Sequence, residues 1–113
     1  MERYKEEIIL SGQSMAASFE SDQINILYFK NYSLQYTFSG SPADTVKIQV
    51  SNDEIGVTSA SSSWDDLDGS SYAISAAGTL TQNANEQNYG KIKVVYTRTS
   101  GAGSMTVKLV AKS

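Results

Sequence analysis

Apolar and polar residues alternate with a period of two along most of this chain. In residues 32–38, Tyr, Leu, Tyr and Phe occupy every second position, and Ser, Gln and Thr lie between them. Residues 45–51 repeat the pattern, with Val46, Ile48 and Val50 on one side. No stretch keeps apolar residues at the spacing of an amphipathic helix, and alternation of this kind is typical of half-buried strands. We therefore predict an all-β chain.

Turn-forming residues separate the predicted strands. Gly, Pro and Asp interrupt the first two runs within residues 40–44, so residues 32–39 and 45–51 are predicted to form a hairpin. Further strands are predicted at five places: residues 5–10, 15–20, 24–29, 71–75 and 78–82. A chain of about eight strands with turns between them favours a two-layer antiparallel β-sandwich of jelly-roll-like type. The sandwich is expected to form one domain over residues 1–113, with the charged residues 1–7 as a candidate N-terminal arm.

A second predicted hairpin lies at the end of the chain. Residues 91–99 and 104–112 flank a four-residue segment that contains two glycines, which readily adopt the positive φ of hairpin loops. Pairing Thr99 with Ser104 makes one face of this hairpin apolar. The other face carries four lysines, which we treat as candidate interface residues: Lys91, Lys93, Lys108 and Lys112.

The predicted strand at residues 24–29 is apolar on both faces. Its side chains alternate, with Ile24, Ile26 and Tyr28 on one face and Leu27 and Phe29 on the other. Both faces need cover, because an exposed strand of this kind promotes aggregation. The strand is therefore either central within the sandwich or part of a contact between subunits, and its five apolar residues are candidate interface residues.

Composition excludes several classes of function. The chain has 113 residues, 9 Lys and Arg against 12 Asp and Glu, and a net charge of −3. A net negative charge gives no bulk attraction to nucleic acid or to anionic membrane surfaces, and we expect neither as a partner. The chain has no histidine and no cysteine, which removes imidazole bases, thiolate nucleophiles and the usual zinc ligands. We expect a protein that is not an enzyme and that uses no cofactor.

Asp65, Asp66 and Asp68 form the main cluster of carboxylates. Carboxylate oxygens suit Ca²⁺ or acid–base catalysis, yet the spacing matches only a fragment of an EF-hand loop. The preferred interpretation is that these side chains shape turns, with Trp64 and Leu67 anchored in the core. A calcium site at the three aspartates is the alternative.

Charge is also segregated along the chain. Residues 53–86 contain six acidic residues and no Lys or Arg, whereas residues 91–112 contain five basic residues and no acid. In one interpretation the acidic loops lie near the lysine face of the same molecule and form exposed ion pairs, each of which contributes little to stability. In the other, complementary charges orient neighbouring copies or an acidic scaffold.

Three segments resemble small virion proteins of tailed bacteriophages. Residues 50–53 are similar to the start of a "V-S-N-D-G" motif, with Glu54 in place of the glycine. Residues 64–69 match "W-x-D-L-x-G", and residues 96–103 match "Y-x-R-x-S-G-x-G". These motifs occur in β-sandwich domains of capsid decoration, head-fibre and tail-fibre proteins.

The resemblance implies a non-enzymatic virion protein. The expected role is an auxiliary capsid or decoration protein that is homo-oligomeric, binds capsid or other virion proteins, and stabilises the particle surface. Because the start of the chain lacks the apolar segment of a signal peptide, we expect synthesis in the host cytoplasm and a location in the virion. The alternative is a receptor-binding or carbohydrate-binding module of a fibre or tail tip, with Tyr72, Tyr89, Trp64 and the aspartate loop in contact with the ligand.

Overall fold

The structure, a computed structural model, describes residues 4–27, 29–54, 56–84 and 89–112. Within these residues the chain forms strands and one short 3-10 helix. The elements in chain order are β1 (Tyr4–Ser14), β2 (Phe19–Glu20), β3 (Ile24–Asn25), β4 (Asn31–Gly40), β5 (Ala43–Ser51), the 3-10 helix (Ser59–Ser61), β6 (Asp65–Asp66), β7 (Tyr72–Ile74), β8 (Gly78–Ala84), β9 (Lys91–Ser100) and β10 (Gly103–Lys112). No helix in these four ranges has the length and apolar character needed to cross a membrane.

The strands form two antiparallel sheets that share one apolar core, so the predicted β-sandwich is confirmed. Sheet A has the strand order β1-β10-β4-β8. Sheet B has β9 and β5 at its centre, with β2 and β3 beside β9 and with β6 and β7 beside β5. The described residues form more strands than predicted, because the flanks of sheet B are built from pieces of two or three residues.

Alternation along the four long strands builds the core. The predicted inward residues of β4, β5, β9 and β10 are buried between the sheets, whereas their neighbours in sequence lie on the outer faces. Burying each large apolar side chain contributes about 1.5–3 kcal/mol. The buried apolar residues of these strands are Tyr32, Leu34, Tyr36, Phe38, Val46, Ile48, Val50, Ile92, Val94, Tyr96, Met105, Val107, Leu109 and Ala111.

Both predicted hairpins are wrong, because the two strands of each lie in different sheets. β4 pairs with β10 and β8 in sheet A, whereas β5 pairs with β9 in sheet B. Residues 40–43 and 100–103 therefore carry the chain from one sheet to the other instead of closing a hairpin. Alternation specifies which face of a strand is buried but not which strand lies beside it. The same apolar residues become buried in both arrangements.

The two connections between the sheets lie side by side. The backbone N–H of Ser41 donates to the carbonyl of Ala102 at 2.9 Å. Gly40 and Gly101 both have positive φ, 82° and 79°. A side chain on either residue would collide with the backbone of the other connection. Glycine is therefore needed here for close approach as well as for backbone conformation.

The doubly apolar strand predicted at residues 24–29 is only partly formed. β3 ends at Asn25, and the backbone N–H of Phe29 donates to the Ile26 carbonyl at 2.9 Å, which closes a turn. Ile24 and Ile26 are buried in the core, Phe29 is half-buried, and Leu27 is exposed. Tyr28 lies outside the described residues.

β1 extends further toward the N-terminus than predicted. It begins at Tyr4, so residues 4–7 of the candidate arm pair with β10 as part of sheet A. Residues 1–3 lie outside the described part of the chain.

Candidate functional site

Lys91 lies at a polar centre on the outer face of sheet B. Ile92 and Val94 point into the core, so Lys91 and Lys93 point away from it. Residues 52–54 and 56–64, which follow β5, fold back over this face. As a result the Lys91 side chain is 0% exposed.

Four oxygen atoms surround the Lys91 ammonium group. It donates to Oε1 of Gln23 at 2.8 Å and to Oγ of Ser62 at 2.5 Å. It also donates to the carbonyls of Glu54 at 3.2 Å and Val57 at 3.1 Å. A buried ammonium group is tolerated only where its donors are satisfied. This cluster therefore fastens the segment after β5 to the sheet.

Trp64 completes the cover over the two lysines. The Lys93 ammonium lies 4.5 Å and the Lys91 ammonium 5.4 Å from the centre of the indole ring. The indole Nε1–H donates to the Ser59 carbonyl at 2.9 Å, and Lys93 forms an ion pair with Glu20 of β2. Cations placed over an aromatic face are attracted to it. Trp64 is therefore half-buried between the outer face of sheet B and its own loop, and not anchored in the core as expected.

The predicted four-lysine face does not form. Lys91 and Lys93 are buried on sheet B, while Lys108 and Lys112 are exposed on sheet A, because β9 and β10 belong to different layers. The middle of the chain covers the first two lysines, but not through the exposed pairs with acidic loops that the intramolecular interpretation expects, since both lysines are buried and Lys93 pairs with Glu20 of β2. The Lys91 ammonium group donates to uncharged oxygen atoms rather than to carboxylates.

The aspartate cluster is part of the sheet edge. Asp65 and Asp66 form β6 and pair with β5. The Asp66 carboxylate accepts from Nε2 of Gln49 at 2.9 Å and from Nζ of Lys47 at 3.1 Å. The hydrogen bond from Gln49, followed by that from Lys47, lowers the pKa of Asp66. Asp68 is exposed in the following turn.

These aspartates do not converge on a metal position. Across the four described ranges, no three acidic side chains are grouped closely enough to hold an ion. The Asp66 carboxylate instead holds β6 against β5 through the side chains of Lys47 and Gln49, rather than shaping a turn.

The aromatic residues of the alternative ligand site are divided between separate places. Tyr89 and two aspartates, Asp65 and Asp66, line one shallow depression beside β5. Tyr72 is exposed and lines a different depression with Phe38. Trp64 belongs to the lysine cluster, so the predicted contact surface is not continuous.

Sequence reasoning missed a buried carboxylate, Asp44. Its oxygens accept hydrogen bonds from the Tyr96 hydroxyl and from the backbone N–H groups of Ala43, Thr99 and Ser100. Burial raises the pKa of Asp44, but these hydrogen bonds outweigh it and hold the pKa below its ordinary value. The sequence carried a signal for the burial of Asp44, because this residue lies two positions before Val46 and so on the same face of β5 as the inward residues.

The outer face of sheet A carries the exposed groups suited to contact with other molecules. Tyr4 and Ile8 of β1 are 58% and 61% exposed. They lie opposite Lys112 and Lys108 of β10 in the strand register, with Val110 half-buried between the lysines. This surface, which we term the sheet A patch, combines exposed apolar groups with two cations and with the Glu6 carboxylate, which accepts a hydrogen bond from the Tyr4 hydroxyl.

The fold has clear structural relatives. The SPBc2 prophage-derived protein YomS matches with a TM-score of 0.67 and 13% identity, over 100% of this chain and 96% of that chain. The PBSX exported protein XepA matches with a TM-score of 0.61 and 10% identity, over 95% of this chain and 36% of that chain. The structure of infectious bursal disease virus, Gx strain, matches with a TM-score of 0.58 and 10% identity, over 100% of this chain and 32% of that chain.

These likenesses concern the fold alone, because all three identities are low. The chain spans about a third of the length of the last two relatives. No protein-family model matches the chain, and no curated protein matches it in sequence.

Proposed function

We propose that this chain is a non-enzymatic structural protein of a bacteriophage particle, an auxiliary capsid or decoration protein that binds the assembled particle surface. The observation that carries the proposal is the end-to-end match with YomS, a prophage-derived protein that this sandwich covers almost completely. The sequence motifs shared with phage virion proteins point to the same class.

The chemistry of the side chains supports a binding role rather than catalysis. The sequence has neither histidine nor cysteine. The two best-connected carboxylates, Asp44 and Asp66, hold strands and connections in place. Acid–base catalysis needs a proton donor and acceptor that remain available to a substrate.

The sheet A patch is the proposed attachment surface. Lys108 and Lys112 are exposed there beside the apolar groups Tyr4 and Ile8. An acidic capsid surface fits these cations, and the adjacent apolar area adds to the affinity. Lys91 and Lys93 are not part of the surface, because the loop after β5 covers them.

Binding to phage heads tests this proposal. Heads from the phage that encodes the chain, prepared without this protein, should bind the purified chain saturably in co-sedimentation. Lys108→Glu and Lys112→Glu should each weaken binding by about tenfold, because each places an anion against an acidic partner. Lys30→Glu makes the same charge change at an exposed position outside the patch and should bind normally. Heads that fail to retain the wild-type chain would exclude the proposal.

A receptor-binding or carbohydrate-binding module is the second candidate. The depression lined by Tyr89, Asp65 and Asp66 favours it, because sugar sites combine an aromatic ring with polar neighbours. A glycan array tests this candidate. Binding that Tyr89→Ala abolishes and Tyr72→Ala leaves intact would support it over capsid attachment.

A further inference from the structure

β1 leaves one side of its backbone unpaired within the described part of the chain. It is the edge strand of sheet A, with β10 on its other side. Residues 4–8 pair with β10 in regular register, and irregularities follow between Ile8 and Leu10 and between Leu10 and Gln13. A regular edge is a template for another strand, whereas a bulge ends pairing. Only residues 4–8 therefore offer a straight edge.

The side chains of this short edge combine an exposed apolar pair with three charged residues. Tyr4 and Ile8 are both largely exposed on the outer face. On the other face, Nζ of Lys5 lies 3.6 Å from the Glu7 carboxylate and donates to the Asn25 carbonyl at 3.0 Å. Edge strands usually avoid exposed apolar pairs, because such pairs promote association. The opposite edge, β8, contains no charged residue.

The edge is self-complementary in one register. Two copies of an antiparallel edge pair residues of the same parity, because only alternate backbone groups point outward. Suppose that two copies pair about a twofold axis that passes through Glu6 of each β1. Lys5 of one copy then lies opposite Glu7 of the second copy. Moving the axis by one residue along the strand instead places Lys5 opposite Lys5, or Glu7 opposite Glu7, and like charges in these positions repel.

The apolar residues fit the same register. Tyr4 of one copy lies opposite Ile8 of the other, so both exposed side chains gain cover on the outer face. Aromatic and β-branched residues form favourable cross-strand pairs. Glu6 faces its own counterpart, and it lies diagonal to Lys108 and Lys112 in the sheet A register, which offsets the repulsion.

We propose that two copies of this chain pair antiparallel through residues 4–8 of β1, so that their A sheets join into one continuous sheet across a twofold axis. The occupant of the edge is a second copy because its charge pattern complements that of the first. Isologous contacts of this type are the usual basis of homodimers. The pairing involves this chain alone and does not require attachment to a capsid.

Charge reversal across the axis tests the pairing. In sedimentation equilibrium the wild-type chain should show a concentration-dependent monomer–dimer equilibrium. Lys5→Glu and Glu7→Lys should each raise the dimer dissociation constant by at least about tenfold, because each creates two like-charge pairs. An equimolar mixture of the two variants, and the double variant K5E/E7K, should recover affinity to within about threefold of wild type.

The equimolar mixture distinguishes a loss of contacts between copies from a loss of folding in the single variants. Each variant also loses the ion pair within its own chain, so circular dichroism must show that both remain folded. Recovery in the mixture then reports on contacts between copies, and Lys30→Glu should dimerise as the wild type does. A wild-type chain that stays monomeric at millimolar concentration, or single reversals that leave dimerisation unchanged, would overturn the proposal. Loss of head binding with intact dimers would instead contradict only the proposed function.

Discussion

At the scale of single residues, Asp44 is held in the core by donors that converge on its two oxygens. The carboxylate is 5% exposed and is bound by the Tyr96 hydroxyl and by three backbone N–H groups. Two of those groups, on Thr99 and Ser100, lie at the end of β9. Asp44 therefore joins the start of β5 to the end of β9.

Asp44→Asn should destabilise the protein by about 1.5–3 kcal/mol at pH 7, because the change weakens hydrogen bonds to a charged group. The pKa of Asp44 is lowered by folding, so its stabilising effect is complete above the ordinary value of 3.8 and is lost as the pH falls below it. Urea unfolding at a series of pH values measures both effects. The variant should lose less stability than the wild type on acidification, and equal slopes would contradict this account.

At the scale of elements, the two connections between the sheets approach each other closely at glycine residues. Gly101 has positive φ and lies against the Ser41 carbonyl, where a Cβ atom would overlap the oxygen. Gly12 also has positive φ, 61°, but has open space around it. A side chain at Gly12 would therefore cause backbone strain alone, whereas a side chain at Gly101 would cause both strain and steric overlap.

Gly101→Ala should cost more than about 3 kcal/mol of unfolding free energy, because strain and overlap act together. Gly12→Ala should cost about 1 kcal/mol from strain alone. Chemical denaturation of both variants measures the difference. Equal losses would mean that the connections can move apart freely.

The segment after β5 is held to sheet B by hydrogen bonds from Lys91. Lys91→Met keeps the apolar stem but removes the donor to the Glu54 carbonyl and to Ser62. The Val57 carbonyl keeps its bond from Nε2 of Gln23 at 3.0 Å. We expect a loss of about 1.5–3 kcal/mol, because buried acceptors lose a charged donor.

Hydrogen exchange read by mass spectrometry locates that loss. Amides in residues 56–64 should exchange faster in Lys91→Met, while those of β4 and β10 stay protected to the same degree. Lys108→Met changes an exposed lysine and is the matched control. A uniform rise in exchange across both sheets would show that the segment does not open independently.

At the scale of the whole molecule, the pairings join distant parts of the chain. β1 pairs with β10, so residues near both ends form adjacent strands of sheet A. β10 also pairs with β4, and β9 with β5, across long stretches of sequence. None of these three pairings among the five long strands closes a local hairpin.

Folding should therefore be slow for a domain of this size. Sandwiches dominated by non-local contacts fold in about milliseconds to seconds. Stopped-flow circular dichroism after dilution from urea measures the rate constant. Folding in microseconds would contradict the topology, since that range belongs to chains with local contacts.

Much of the fold followed from the sequence, and less of the site did. The buried faces of β4, β5, β9 and β10 were predicted correctly, because each is a local pattern. The lysine face was wrong because it required β9 and β10 to pair. The covering of Lys91 by Trp64 and its loop had no local signal, since it depends on where the loop returns.

The all-β class and the inward face of each long strand can be read from the amino-acid sequence, because side-chain alternation is a property of neighbouring residues. The three-dimensional fold was needed to show which strands pair, which lysines are exposed and which strands form the edges of sheet A. These features depend on segments far apart in the chain meeting in space. The Gly-rich connections permit either a hairpin or a crossing between sheets, and the packing of the whole core selects the crossing.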